Sequence, residues 1–264
     1  MSNKNNAKVL IEQIRETYEL TGRNLECDIC ELAQVAAFEK RNSGKEFTFS
    51  EHLQGVILAQ LSNQRVWRGI SRNLNNGNIQ KIFCNFDSKK LKQKESQSIV
   101  NELKKIQCGN RRINQQMKVL SENIVKLESI ATQSGSLDKF VSHSNPSDVA
   151  QCISVARSNF KLKEMGFTLA TEYLKNVGIS VAKPDTHIRR ILSNERLNYF
   201  DRIPDEQQAV DAMKKLAKEA DISEVYLDNV LWLFCAKDYG NICSAKQPKC
   251  DGCAIKMCVK NSKI

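Results

Sequence analysis

Residues 162–192, LKEMGFTLATEYLKNVGISVAKPDTHIRRIL, are the most informative stretch of this sequence. Gly166 separates two helical patterns, and after it Leu169, Ala170, Tyr173, Leu174 and Val177 recur at helical spacing. The small Ala170 is expected to let a neighbouring helix approach closely. A glycine turn that opens a helix presents free backbone N–H groups, which suit a phosphate oxygen. Val177 and Gly178 then end the helix, and Pro184 fixes the backbone before Asp185. Asp185 is placed to cap the helix THIRRIL, and geometry alone gives it no other role.

Outward from this stretch the chain reads as helices joined by short polar links. Val9, Leu10, Ile14 and Tyr18 share one face, and a second helix is expected over 28–40. Thr48 with Glu51 has capping-box form ahead of an apolar helix carrying Leu53, Val56, Ile57, Ala59 and Leu61. Val66, Trp67, Ile70 and Leu74 predict the next helix, ending near Asn76 and Gly77, with Trp67 in the core. Residues 86–132 are polar, yet Val100, Leu103 and Ile106 keep a helical stripe, as do Val119, Leu120, Ile124, Leu127 and Ile130. Ser136 and Ser147 are expected as N-caps. Further helices are expected over 204–220, with Pro204 in the first turn, and over 223–236. No period-2 strand pattern is present, so the fold class is all-α.

At 264 residues the chain has room for about two domains at roughly 150 residues each. A hydrophobic share of 41% supports a packed core, and 11 Gly and 4 Pro argue against a many-turned β architecture. No apolar run is long enough to span a membrane. The start, MSNKNNAKVL, lacks the pattern of a secretory signal. A soluble, cytoplasmic protein is expected, nucleoid-associated if the source is bacterial. The net charge of +10 points to a polyanionic partner, nucleic acid first. Lys89, Lys90, Lys92 and Lys94 form a charge run that reads as a solvated helix face or a phosphate track.

Ten cysteines complete the pattern. Cys243, Cys250, Cys253 and Cys258 lie within CSAKQPKCDGCAIKMC, close enough together to surround one metal centre. Four thiolates suit a [4Fe–4S] cluster or a structural zinc, and spacing does not choose between them. Lys246, Lys249, Lys256 and Lys260 make this loop basic, a place where phosphates could dock. Cys27 and Cys30 form a second CxxC without a partner pair, read as buried packing ahead of a redox or metal site. Cys84, Cys108, Cys152 and Cys235 are read as core thiols.

Taken together, LSNQ (61–64), LKEMG (162–166), KPDTHIRRIL (183–192) and the cysteine loop resemble the helix-hairpin-helix DNA glycosylase superfamily, in its endonuclease III-like branch. The motifs occur in the family's order across residues 49–260. The resemblance implies two helical lobes with a DNA-binding cleft between them. A six-helix barrel with the hairpin would span 49–184. The N- and C-terminal lobe would comprise 1–48 and 185–264, with the four-Cys loop at 243–258. It also implies double-stranded DNA with a flipped base as the partner, bound by a monomer.

By the same resemblance Asp185 is the catalytic carboxylate. DNA contacts would come from Gln64, which fills the gap left by the flipped base, and from Gly166, Thr168, His187 and Lys249. Cys243, Cys250, Cys253 and Cys258 would hold a [4Fe–4S] cluster, with structural zinc as the alternative. The family's bifunctional members carry a Lys two residues after the hairpin's last glycine, and here that residue is Thr168. A hydroxyl cannot form an imine, so a monofunctional glycosylase of base excision repair is expected, leaving an abasic site. A glycosylase/lyase using another lysine, such as Lys163 or Lys175, and a non-catalytic module that binds modified DNA are the alternatives. Ala59 stands where the adenine-excising branch has Glu, and residue 264 leaves no room for that branch's extra domain, so adenine is disfavoured as substrate. The segment YLKNVG resembles the archaeal oxoguanine-removing type, which uses the missing Lys. Glu164 replaces a usual hairpin glycine, and the last cysteine gap is one residue short of the usual length.

Overall fold

The computed structural model describes residues 3–261. Among them sixteen α-helices and one 3-10 turn form, and no strand does. Ser193 and Phe200 make an isolated bridge. The helices run α1 (Asn3–Glu19), α2 (Leu25–Leu32), α3 (Gln34–Asn42), α4 (Phe49–Leu61), α5 (Trp67–Asn75) and α6 (Asn78–Ile82). The middle holds α7 (Ser88–Gln93), α8 (Ser96–Lys105), α9 (Ile113–Lys118), α10 (Leu120–Ser134), α11 (Leu137–Ser142) and α12 (Pro146–Ser154). Then come α13 (Phe167–Asn176), α14 (Thr186–Leu192), α15 (Glu206–Ala220) and α16 (Glu224–Cys235). None of them is long and apolar enough to cross a membrane.

The chain divides into two compact units, one of residues 1–36 with 180–264 and one of residues 37–179. The boundaries therefore lie at 36/37 and 179/180, where the sequence placed them at 48/49 and 184/185. Arg41 explains the first shift. Its guanidinium makes a two-point ion pair with Asp138 and donates to the Val177 carbonyl, which ties α3 into the second unit. The second shift follows from the KPD turn, since Glu224 N donates to Ser180 Oγ and Lys183 N to Asp228 Oδ1.

In the first unit Ala7, Leu10, Ile14 and Tyr18 form the buried face of α1, and Val9 is 43% exposed rather than sharing it. The helix expected over 28–40 is broken at Ala33. That residue takes a left-handed φ of 60° and its N–H caps α2 through Cys30 O. Asp205, with Gln208 in a capping box, opens α15, so Pro204 precedes the cap instead of joining the first turn. α16 is an almost wholly buried helix and packs on α1, α2, α14 and α15.

In the second unit the Thr48–Glu51 capping box forms as expected and starts α4. α13 packs against α4 and α12. The close approach of α4 and α13 occurs at Gly55, where an added Cβ would lie 3.1 Å from Val177 and 3.2 Å from Tyr173. Gly178 is required for two reasons. Its φ is +74°, and a Cβ would sit 2.3 Å from Ala37 O. Ser136 caps α11, but Asn145 rather than Ser147 caps α12, because Pro146 occupies the first helical position. The lysine run is partly neutralised, with Lys92 paired to Glu128 and Lys94 to Glu102. Trp67 is buried, as expected.

A buried ionic network links α3, α4, α11 and α13. His52 is completely buried, with Nδ1 2.7 Å from Tyr173 Oη and Nε2 3.2 Å from Asp138 Oδ1. Burial is the larger influence and pushes His52 down to about 4, despite the Asp138 carboxylate. Asp138 also accepts from Phe47 N; burial is the largest single influence and would raise its carboxyl, but Arg41, the Phe47 amide and His52 together hold it below its ordinary value.

Candidate active site and cysteine loop

In the first unit Asp185 is the N-cap of α14. Its Oδ1 accepts from His187 N at 2.7 Å and Ile188 N at 3.1 Å. Among the described residues Oδ2 takes no hydrogen bond, and the side chain is partly exposed. The cap holds the carboxylate in one orientation while leaving an oxygen open, and the positive end of the helix dipole favours its charge. The turn before it is anchored from below, since Asp228, buried on α16, accepts from Lys183 N at 2.8 Å.

His187 lies on the same turn. Its Nδ1 is 3.1 Å from Arg190 Nη2, and its ring meets Trp232 edge-on at 6.4 Å. Burial depresses its pKa, and the nearby Asp185 charge only partly offsets this. Arg190 Nη2 also donates to Cys243 O at 2.8 Å, so α14 is bonded directly to the cysteine loop.

Cys243, Cys250, Cys253 and Cys258 line a single pocket with Ile191, Leu197 and Phe234. Arg196, almost fully buried, borders it and donates to Ser244 O, while Val259 N donates to Arg196 O. A hydrogen bond from Cys235 lowers the Cys243 thiol, helped by the Arg196 and Arg190 guanidiniums and opposed by burial. Burial raises Cys250 and Cys253, and the charges of the neighbouring loop thiols add to it. The chemistry of the donor set suits a thiolate-bound centre. The sulfurs are not closed around one: among the described residues no three His, Cys, Asp or Glu side chains are grouped as metal ligands. Lys246, Lys249, Lys256 and Lys260 are all exposed on this loop.

In the second unit Gly166 opens α13 and provides no side-chain cap. Its φ is −88° and an added Cβ would meet nothing within 4 Å, so neither backbone nor packing requires glycine there. The strained position is Glu164, with φ +56°, at a cost of about 1–2 kcal/mol for a non-glycine residue. A glycine would carry no such cost at this place. Arg112 makes a two-point ion pair with the Glu164 carboxylate, at 2.8 and 3.0 Å, which neutralises the charge. Buried Asn123 fastens the loop by exchanging hydrogen bonds with Lys163 N and O.

Thr168 sits half-buried in the first turn of α13. Lys163 is exposed and paired with Glu122, whereas Lys175 is buried beside Glu172 at 3.4 Å. Lys161 donates to the Ser154 and Met165 carbonyls, and burial lowers its pKa. Gln64 lies in the turn after α4, exposed, with a left-handed φ of 53°.

The structure of this chain is similar to that of the 8-oxoguanine glycosylase/lyase of Methanocaldococcus jannaschii in complex with a 15mer DNA containing 8-oxoguanine. The TM-score is 0.56 at 22% identity, covering 87% of this chain and 98% of that one. The chain has the fold of the 8-oxoguanine DNA glycosylases. The 8-oxoguanine DNA glycosylase of Thermotoga maritima gives the same TM-score, 0.56, at 18% identity over 88% of this chain and 97% of that one. A second M. jannaschii 8-oxoguanine DNA glycosylase structure gives 0.55 at 20% identity, over 85% and 94%. No protein-family model matches this sequence, and no curated protein matches it. The shared fold bears out the all-α class.

Asp228, Asn123 and Arg190 were missed by sequence reasoning. Asp228 had a signal, an acid inside the apolar run VYLDNVLWLF. Asn123 and Arg190 had none, because polar residues at helix positions are ordinary until their partners are known.

Proposed function

We propose that this chain is a DNA N-glycosylase of base excision repair, acting on duplex DNA with a damaged, modified or mismatched base drawn out of the stack. The observation that carries this reading is the carboxylate of Asp185, held by two amides through one oxygen and open at the other, on a DNA glycosylase fold. Breaking the bond from C1′ to the base leaves positive charge on the deoxyribose. The open oxygen of Asp185 stabilises that charge and accepts a proton from the attacking water. Water oxygen bonds to C1′, the base leaves with its bonding electrons and takes up a proton, and an abasic site remains.

Thr168 supports a monofunctional reaction, since it offers no amine where the family's lyases carry one. The pairing of Lys163 and the burial of Lys175 support the same assignment. Gln64 would fill the gap in the duplex, and the uncapped start of α13 at Gly166 would receive a phosphate. His187 would keep α14 in place, and Lys249 would contact the backbone of the DNA. Cys243, Cys250, Cys253 and Cys258 would hold the [4Fe–4S] cluster, whose supply of four metal–thiolate bonds would pin the loop. The shared pocket and the four-thiol donor set support this.

Duplexes carrying different single lesions, 8-oxoguanine first because the similar structures act on it, test the reading. Free base without strand cleavage is expected for at least one lesion. A strong covalent adduct on borohydride treatment would overturn the monofunctional assignment. DNA binding without base release from any duplex would favour a binding module. Iron and sulfide in the purified brown protein would support the cluster, and zinc in a colourless one would replace it.

A further inference from the structure

α2 buries Leu25, Asp28, Ile29 and Leu32, and its other face presents Cys27 and Cys30 to solvent. The sequence suggested buried packing for this pair, and the structure removes that explanation. Unpaired cysteine is among the residue types most often buried, so two exposed thiols on one helical turn have no packing role. Two of the charged residues on this helix are engaged elsewhere. Glu26 accepts from Arg15 and Tyr226, and Asp28 from Arg23 and Tyr18. Among the described residues neither thiol makes a hydrogen bond.

We propose that Cys27 and Cys30 form a reversible dithiol–disulfide site, closed by exchange with a small-molecule disulfide. Residues three apart on a helix have Cβ atoms about 5–6 Å apart, and a disulfide wants about 3.5–4.5 Å. Closure therefore draws the turn in by about 1–2 Å. α2 is eight residues long and stops at left-handed Ala33, so that adjustment stays local. The reaction begins when one thiolate attacks a sulfur of the small disulfide. A mixed disulfide forms and the first small thiol leaves. The second cysteine, as thiolate, attacks the protein-side sulfur and expels the second small thiol. The protein loses two electrons and two protons, and the small disulfide gains both.

The tryptic peptide 24–40, NLECDICELAQVAAFEK, contains these two cysteines and no other, so it reports on them independently of the C-terminal loop. The full-length folded protein is equilibrated with reduced and oxidised glutathione, quenched with acid, alkylated and mapped by mass spectrometry. The expected wild-type product is the peptide lighter by two hydrogens, with helical circular dichroism retained. C27S and C30S should instead trap one glutathione, at a level at least about tenfold above wild type. A wild-type peptide that stays reduced, or carries glutathione without closing, overturns the proposal. So does closure seen only in denaturant. The outcome is independent of whether the protein releases a base.

Discussion

The starts of α14 and α13 are opposites. Asp185 fills the first with its own carboxylate, satisfying two amides, whereas Gly166 leaves the second without a side-chain cap. One helix start carries its own negative charge, and the other has no side-chain cap; on the proposed function the first serves the chemistry and the second receives a phosphate. Their supports differ as well. α14 rests on a buried acid, Asp228, and on a direct bond from Arg190 to the cysteine loop. α13 rests on a close contact at Gly55 and on the Arg41–Asp138–His52–Tyr173 network. A carboxylate that must hold one orientation needs hydrogen bonds at fixed distances, while an open amide row needs only a rigid helix and room.

Substituting Asp185 gives the largest expected effect, because it separates the cap from the chemistry. Asn caps a helix about as well as Asp, so Asp185→Asn should leave the melting temperature nearly unchanged. Base release should fall by about a thousandfold. Asp185→Ala should lose the same activity and about 1 kcal/mol of stability besides. Single-turnover base release and thermal unfolding on both variants check this, and unchanged release in Asp185→Asn would sink the assignment.

Acid should break the support of α13. His52 falls from an ordinary 6.5 to about 4 in the folded state, so between those values the unfolded chain binds the extra proton. Stability present above pH 6.5 should therefore drop as pH falls toward 4, by up to about 3 kcal/mol from this group. Asp138, held below its ordinary value, adds a loss in the same direction at lower pH. Urea unfolding across this range measures the slope, and His52→Gln should flatten it.

Arg190→Met tests the support of α14. It removes the bonds to Cys243 O and His187, and about 1–3 kcal/mol of stability is expected to go with them. Base release should fall by about tenfold, mainly in kcat, since the carboxylate is less well held. An unchanged kcat with a weaker fold would show that Arg190 serves only the loop.

Gly166→Ala is the smallest change and the sharpest test of the open helix start. A Cβ there meets nothing within 4 Å, so stability should stay within about 0.5 kcal/mol of wild type. If a phosphate approaches the backbone at this point, DNA affinity should fall by about three- to tenfold, as measured by fluorescence anisotropy. Unchanged affinity would remove the hairpin start from the DNA surface.

Much of this was visible in the sequence. Caps and turns depend on a few neighbouring residues, so Thr48–Glu51, Asp185 and the Gly178 break could be located without a structure. The single helix expected over 28–40 failed because Ala33 adopts a left-handed conformation that no residue type there signals. Val9 was misplaced because the stripe that includes it also fits one turned slightly toward Ala7. Cys27 and Cys30 were misread for a related reason, since spacing gives the face two residues share and not whether that face is covered.

The amino-acid sequence by itself determined the helical class, the places where helices start and stop, the position of the acid at 185 and the absence of an amine at 168. Those features depend on contacts within a turn or two of the chain. Only the tertiary structure decided that the second oxygen of Asp185 is left uncovered, that Arg112 neutralises Glu164, that Arg190 joins α14 to the cysteine loop and that one cysteine pair faces solvent. Each of these joins residues far apart in the chain or depends on what covers a face, and burial and hydrogen-bond partners across such distances are set by packing.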